Sequence, residues 1–222
     1  MKKNTIQDAM TNVVLKMAEH YQEKHQQSYE PSKLSKRIIL GRSRSASDTF
    51  EESFALAILP FLKDDREIYI DAPMSMLNKS GVGKSETVYP DIIILDRYSQ
   101  LRGIIELKID LGWLSDGWSD KRRSFLKTLA KKQLSIKRGK INLKIGKNFQ
   151  YLIVVLSQVN DHKRWKESFS KKHRGYAFLL LDKNFPHPND RKNQGLEVYK
   201  DLVDDKLFIA RCEKIEEIIS KM

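Results

Sequence analysis

Two stretches decide how this chain is read: Tyr89-Pro90-Asp91-Ile92-Ile93-Ile94-Leu95 and, beyond a short polar stretch, Gly103-Ile104-Ile105-Glu106-Leu107-Lys108. Isoleucine runs this continuous belong to strands buried on both faces. A charged residue in such a strand is expected to have a task. A hairpin closed by Arg97-Tyr98-Ser99-Gln100 pairs Asp96 with Leu101, and the same register sets Asp91 opposite Glu106. Directly opposed residues share one face with Cβ atoms about 4.5–5.5 Å apart, near enough for two carboxylates to share a divalent cation. Lys108 lies two residues beyond Glu106 and so on the same face. Two carboxylates held that close repel, and a hard cation such as Mg²⁺ relieves the repulsion. A cation-bound water beside a lysine is the arrangement phosphodiester hydrolysis requires: the cation neutralises developing charge while the lysine orients or activates water.

With Pro90-Asp91 as a PD element and Glu106-Leu107-Lys108 as an E-X-K element, the chain resembles the PD-(D/E)XK nuclease superfamily. The resemblance extends over about residues 48–156. It implies an α/β fold with a restriction-endonuclease-like core, a mixed β-sheet flanked by helices in the order α-β-β-β-α-β. It further implies that Asp91 and Glu106 ligate Mg²⁺, for which Mn²⁺ would substitute, that the Leu107 backbone carbonyl assists, and that Lys108 serves the attacking water. Many members also carry a glutamate on the helix before the sheet. Here the helix expected over 48–62 turns Phe50, Phe54, Ala57, Ile58 and Phe61 to one face, and Glu51 lies nearer that face than Glu52. Glu51 is therefore the candidate catalytic glutamate, with a purely structural alternative in which Asp48 is the N-cap and Glu51 the N3 residue of a capping box.

Outward from this centre, Ile6, Ala9, Met10, Val13, Met17 and Tyr21 recur at helical spacing, so 5–27 reads as an amphipathic helix packed on the main domain or on a partner. Strands are expected over 67–72, 90–95 and 103–108, the three forming an antiparallel meander. A long basic helix over 119–138, strands over 151–156 and 176–181 and a last helix over 213–221 follow. The domain reading is an N-terminal helix and basic loop over 1–45, the nuclease-like core over 46–185, and an extension over 186–222 packed on that core.

The 222 residues carry 41 Lys plus Arg against 29 Asp plus Glu, a formal net charge of +12, which favours a polyanionic partner, DNA first. Eleven bases and no acid occur between Lys121 and Lys147. A solvated helix usually mixes signs, so Lys121, Arg122, Arg123, Lys127 and Lys131 read as a phosphate track, with Arg42 and Arg44 in the earlier basic loop as further DNA contacts. Gln133 stands where RecB-like exonucleases carry a helical glutamine, but Lys137 occupies their tyrosine position. Gly83-Lys84-Ser85 is not a phosphate loop, because Asn78 stands where its first glycine belongs and Pro90 follows too soon for a helix. The histidines His162, His173 and His187 fit no ligand spacing. A single cysteine, Cys212, excludes an intrachain disulfide and a cysteine-based zinc site and fits a cytoplasmic setting, and no apolar stretch is long enough to span a membrane. The expected activity is that of a Mg²⁺-dependent DNA endonuclease of restriction type, working as a homodimer that the N-terminal helix could support. The alternative is a catalytically silent DNA-binding module on the same fold.

Overall fold

The computed structural model describes residues 5–29, 31–32, 35–39, 46–78, 85–110, 118–136, 141–157, 175–181 and 197–222. In chain order they form α1 (Ile6–Tyr29), β1 (Pro31–Ser32), β2 (Ser35–Ile39), α2 (Ala46–Ile58), β3 (Arg66–Ile70), β4 (Met74–Asn78), β5 (Glu86–Val88), β6 (Ile92–Asp96), β7 (Gln100–Asp110), α3 (Trp118–Lys131), β8 (Lys132–Ile136), β9 (Ile141–Ser157), β10 (Gly175–Leu179), α4 (Glu197–Val203) and α5 (Lys206–Ile219). Eight strands share one sheet, in the order β3-β6-β7-β9-β8-β4-β5 with β10 also on β9. The pairs β3–β6 and β6–β7 are antiparallel, whereas β7–β9 and β9–β10 are parallel. The chain is thus an α/β protein built on a mixed sheet flanked by helices.

Every residue of β6 is buried, as its isoleucine run requires. Strand alternation sends Ile92, Ile94, Ile105 and Leu107 into a core shared with α1, α2, α4 and α5, and sends Ile93, Leu95 and Ile104 into a second core with Leu129 of α3 and residues of β4, β8 and β9. The apolar face of α1 (Ile6, Met10, Val13, Val14, Met17) belongs to the first core. Burying each such large side chain contributes about 1.5–3 kcal/mol. That part of the face is covered within the chain, so those residues do not serve as a dimer surface. Gly103 on β7 packs against the last residue, Met222, whose side chain would have to shift for a Cβ there, 2.5 Å from its sulfur, and whose backbone oxygen accepts from Arg66 Nε at 2.7 Å.

Several sequence expectations need correction. The helix expected over 119–138 stops at Lys131, and Lys132–Ile136 is a strand held between β4 and β9. Leu134 and Ile136 alternate there with Gln133 and Ser135, a period of two that the helical reading of a lysine-rich segment overlooked. Gln133 consequently sits on a strand, which removes its likeness to a helical exonuclease glutamine. The strand expected over 151–156 runs from Ile141 to Ser157, and β4 and β5 form a further hairpin between the first and second strands of the meander. Helix α2 begins at Ala46, two residues early, and ends at Ile58 before a 3₁₀ turn that contains Pro60. The last helix, expected over 213–221, runs from Lys206 to Ile219 as α5, with Asp205 capping it through the Leu207 amide at 2.8 Å. Of the Gly83-Lys84-Ser85 segment, Gly83 and Lys84 lie outside the described residues, as do His162, His173 and His187. Among the described residues no helix is long and apolar enough to cross a membrane.

Candidate active site

The hairpin register explains how the two acids meet. The observed partners are Ile92 with Ile105, Ile93 with Ile104 and Ile94 with Gly103, so the expected register holds through the strand centre and sets Asp91 level with Glu106. The turn differs from expectation: Leu95, not Asp96, pairs with Leu101, and Arg102 is an extra residue in a bulge. Asp96 is bent into the turn, where its Oδ1 accepts the amides of Tyr98 and Gln100, both at 2.9 Å, while Arg102 donates Nε and Nη2 to Oδ2 at 2.9 and 2.7 Å. Burial alone would raise this carboxyl, but those donors hold it below the usual carboxylate range. The task of the Asp96 charge is structural.

At the other end of β6, Pro90 is buried and Asp91 precedes the strand, its carbonyl accepting the Asp71 amide at 2.9 Å. The Asp91 Oδ2 accepts the Leu107 amide at 2.6 Å and the Lys108 Nζ at 3.2 Å, and the same Nζ lies 3.6 Å from Glu106 Oε2. One ammonium therefore bridges two carboxylates. The three side chains keep 18%, 21% and 32% of their surface exposed for Asp91, Glu106 and Lys108, open enough for a ligand to reach. Burial, chiefly, and the Asp91 charge push Glu106 from 4.5 up to about 7, against the pull of Lys108. Leu107 contributes its amide N–H to this cluster.

Glu51 joins from α2. It is half-buried whereas Glu52 is exposed, and its Oε1 accepts from Ser47 Oγ at 3.0 Å. The structural alternative, a capping box from Asp48, is not formed: Asp48 lies inside the helix, and Glu51 accepts from Ser47 one turn back. Burial raises the Glu51 carboxyl, the Ser47 bond opposes the rise, and the charges of Asp91, Asp48 and Asp71 add to it. Asp71 was missed in the sequence. Its signal was an Asp-Ala-Pro turn directly after a strand, and its φ of 46° shows how sharply the chain turns there. If Glu51 serves the site, Glu51→Gln should slow turnover at least about tenfold with an unshifted melting temperature, and Glu52→Gln should change neither. Equal activities in the two variants would remove Glu51 from the site.

The donor set is all oxygen and carries more negative charge than one lysine balances. That chemistry fits a hard divalent cation, and two carboxylates are what Mg²⁺ commonly takes from a protein while keeping several waters. Among the described residues no three His, Cys, Asp or Glu side chains form a ready-made cage for a metal.

The basic candidates are spread over two elements. Lys121, Arg122 and Arg123 lie on α3, followed by the exposed Lys127 and Lys131, and the cationic run continues with the exposed Lys144 and Lys147 on β9. Arg42 and Arg44 lie outside the described residues. Tyr98 is exposed at the hairpin tip beneath Arg97, whose guanidinium carbon is 4.8 Å from the ring centroid, at the end of β6 remote from Asp91. No protein-family model, curated protein or solved structure matches the chain, so the chemistry of the cluster rests on the residues just described.

Proposed function

We propose that the chain is a Mg²⁺-dependent DNA endonuclease of restriction type. The observation that carries this reading is the convergence of Asp91, Glu106 and Lys108 at one end of the β6–β7 hairpin, with Lys108 Nζ 3.2 and 3.6 Å from the two carboxylates. The order α2, β3, β6, β7, α3, β9, with the first three strands antiparallel and the last parallel to β7, supports a restriction-endonuclease-like core. Asp91 and Glu106 would hold the cation, which when bound supplies charge neutralisation at the phosphate and a more acidic water. The Leu107 amide and Lys108 fix the Asp91 carboxylate in place. The Lys108 ammonium, held between two acids, offers donors to an attacking water and to a phosphate oxygen. Glu51, whose carboxyl burial makes a stronger proton acceptor, would take the proton of an attacking water.

Incubating the protein with supercoiled plasmid in Mg²⁺, in Mn²⁺ and in chelator tests the reading. Nicked or linear product is expected with either cation and none with chelator. Duplex binding without cleavage in either cation would identify the silent DNA-binding module instead. Neutralising Arg122, Arg123 and Lys127 together should reduce the slope of log K against log[salt] by up to about 3, at about 0.9 per phosphate contact. An unchanged slope would show that α3 does not follow the phosphate backbone.

A further inference from the structure

The strands that sequence periodicity did not reveal form a strand layer that continues the sheet beyond β9, and it joins β7 at the turn end of the β6–β7 hairpin, where Lys144 pairs with Gln100 and donates its amide to the Ser99 oxygen at 3.2 Å. Between Ile145 and Gln150, β9 advances five residues while its partner β7 advances only from Leu101 to Gly103, so the strand bends out of line with β7. Two short connections tie the layer to the carboxylates: Asp71 precedes Met74 by three residues, and Val88 precedes Asp91 by three. Each spans at most about 11 Å. Val88 pairs with Met74, and Met74 with Ile136. At about 5 Å per strand, Ile136 lies no more than roughly 22 Å from Asp91.

Within this layer the β8–β9 ribbon has two unlike faces. Leu134, Ile136 and Leu143 point into the second core. Alternation turns Gln133, Ser135, Asn142 and Lys144 the other way, and Ser135 and Asn142 are direct cross-strand partners. Gln133, Asn142 and Lys144 are exposed and Ser135 is half-buried, whereas Ser75 in the same row on β4 is buried, so the open part of the face is the ribbon itself. Its described residues bear two amides, a hydroxyl and an ammonium, with the half-buried Leu77 of β4 beside Gln133 in the same row. The exposed Lys127 and Lys131 lead into it from α3.

We infer that the outward face of the β8–β9 ribbon reads base edges in the major groove of duplex DNA, making Gln133, Asn142 and Lys144 specificity residues of the proposed endonuclease, on whose duplex substrate the inference rests. A two-stranded ribbon fits the B-form major groove, which is about 12 Å wide, and cannot enter the deep, narrow major groove of duplex RNA. Asn and Gln can bond adenine through donor and acceptor together, and Lys can donate to guanine. Lys127 and Lys131 supply phosphate contacts that hold register without reading sequence.

The test is selection from a randomised duplex library by the full-length Asp91→Asn protein, with and without Asn142→Ala or Gln133→Ala, each checked for an unchanged melting temperature. The parent is expected to enrich a defined sequence. Each amide variant should lose preference about 5- to 150-fold at one or two base pairs and keep it elsewhere. Lys127→Ala with Lys131→Ala should weaken all sequences alike. Enrichment of the same sequence by the parent and both amide variants overturns the inference, as does a parent that enriches nothing. A change in oligomeric state in the amide variants without a change in selected sequence also overturns it, by assigning the face to a second copy of the chain. Because selection needs no cleavage, the two readings fail separately: selective binding by a protein that never cuts sinks the endonuclease alone, and cleavage whose specificity ignores the ribbon sinks the ribbon alone.

Discussion

Lys108→Ala should lower the rate of plasmid cleavage in Mg²⁺ by about 10²–10⁴-fold, and Asp91→Asn should do the same. The Lys108 ammonium is the one positive group ion-paired with both carboxylates at this end of the sheet among the described residues, at 3.2 Å from Asp91 and 3.6 Å from Glu106. Removing it deletes the donor that would orient water and leaves two acids closer to open repulsion. Asp91 accepts from Leu107 and Lys108 together, so the uncharged amide introduced by Asp91→Asn would weaken both bonds and the hold on a cation. Neither change removes apolar volume from a core, and both side chains are partly exposed, so each variant should melt as a single folded species near the parent. Initial rates of nicking, measured beside thermal melting, check this, and parental cleavage by Asp91→Asn would sink the whole site.

Glu106→Gln should raise stability at pH 8 by up to about 3 kcal/mol while abolishing cleavage. Burial, with the Asp91 charge, lifts the folded-state pKa of Glu106 from 4.5 to about 7. Between those values the folded chain holds a proton that the unfolded chain has released. The contribution of Glu106 to stability is therefore most favourable below about pH 4.5, falls as pH rises to about 7, and is level beyond. Glutamine carries no charge to expel from water, so its advantage should be near zero at pH 4, grow across that window and be complete by pH 8. Mg²⁺ should raise the melting temperature of the parent at pH 8 and much less at pH 5, where Glu106 keeps its proton, and should barely stabilise Glu106→Gln at either pH. Chemical denaturation at pH 4, 6 and 8 measures the first effect and thermal melting with and without Mg²⁺ the second. A difference between parent and variant that is flat with pH would show that Glu106 is not held under stress.

Much of the site was legible because it is local. Asp91 and Glu106 face each other through one hairpin whose strands are too apolar to be anything else, and Lys108 follows by alternation. The register came out in the strand centre although the turn was misread, because the extra residue Arg102 restores the pairing that moving Asp96 into the turn would have shifted by one. Glu51 could be separated from Glu52 on the helix because a core face fixes which of two neighbours points inward. Its distance from Asp91 could not, since that depends on how α2 lies against the sheet. Asp71 left only the trace of a turn in the sequence, and its electrostatic role exists solely because β3 ends beside β6.

By itself the sequence determined the buried hairpin, the two acids and lysine on its one face, the amphipathic helix α1 and the strong positive charge, all of them carried by residues close along the chain or by composition. Tertiary structure decided the rest. The segment Lys132–Ile136 has the composition of a helix end and becomes a strand because β4 and β9 present backbone partners on either side, and hydrogen bonds to two neighbours outweigh local propensities worth tenths of a kcal/mol per residue. Ile141–Gln150 likewise reads as polar and lysine-rich until one face is set on the second core. The apolar stripe on α1 was equally suited to a partner, and only its burial against α2, α5 and the sheet shows that the chain itself covers it. Short-range pattern states which face of an element is apolar. What that face meets is settled by contacts between residues far apart in sequence, and the β8–β9 ribbon is a product of those contacts.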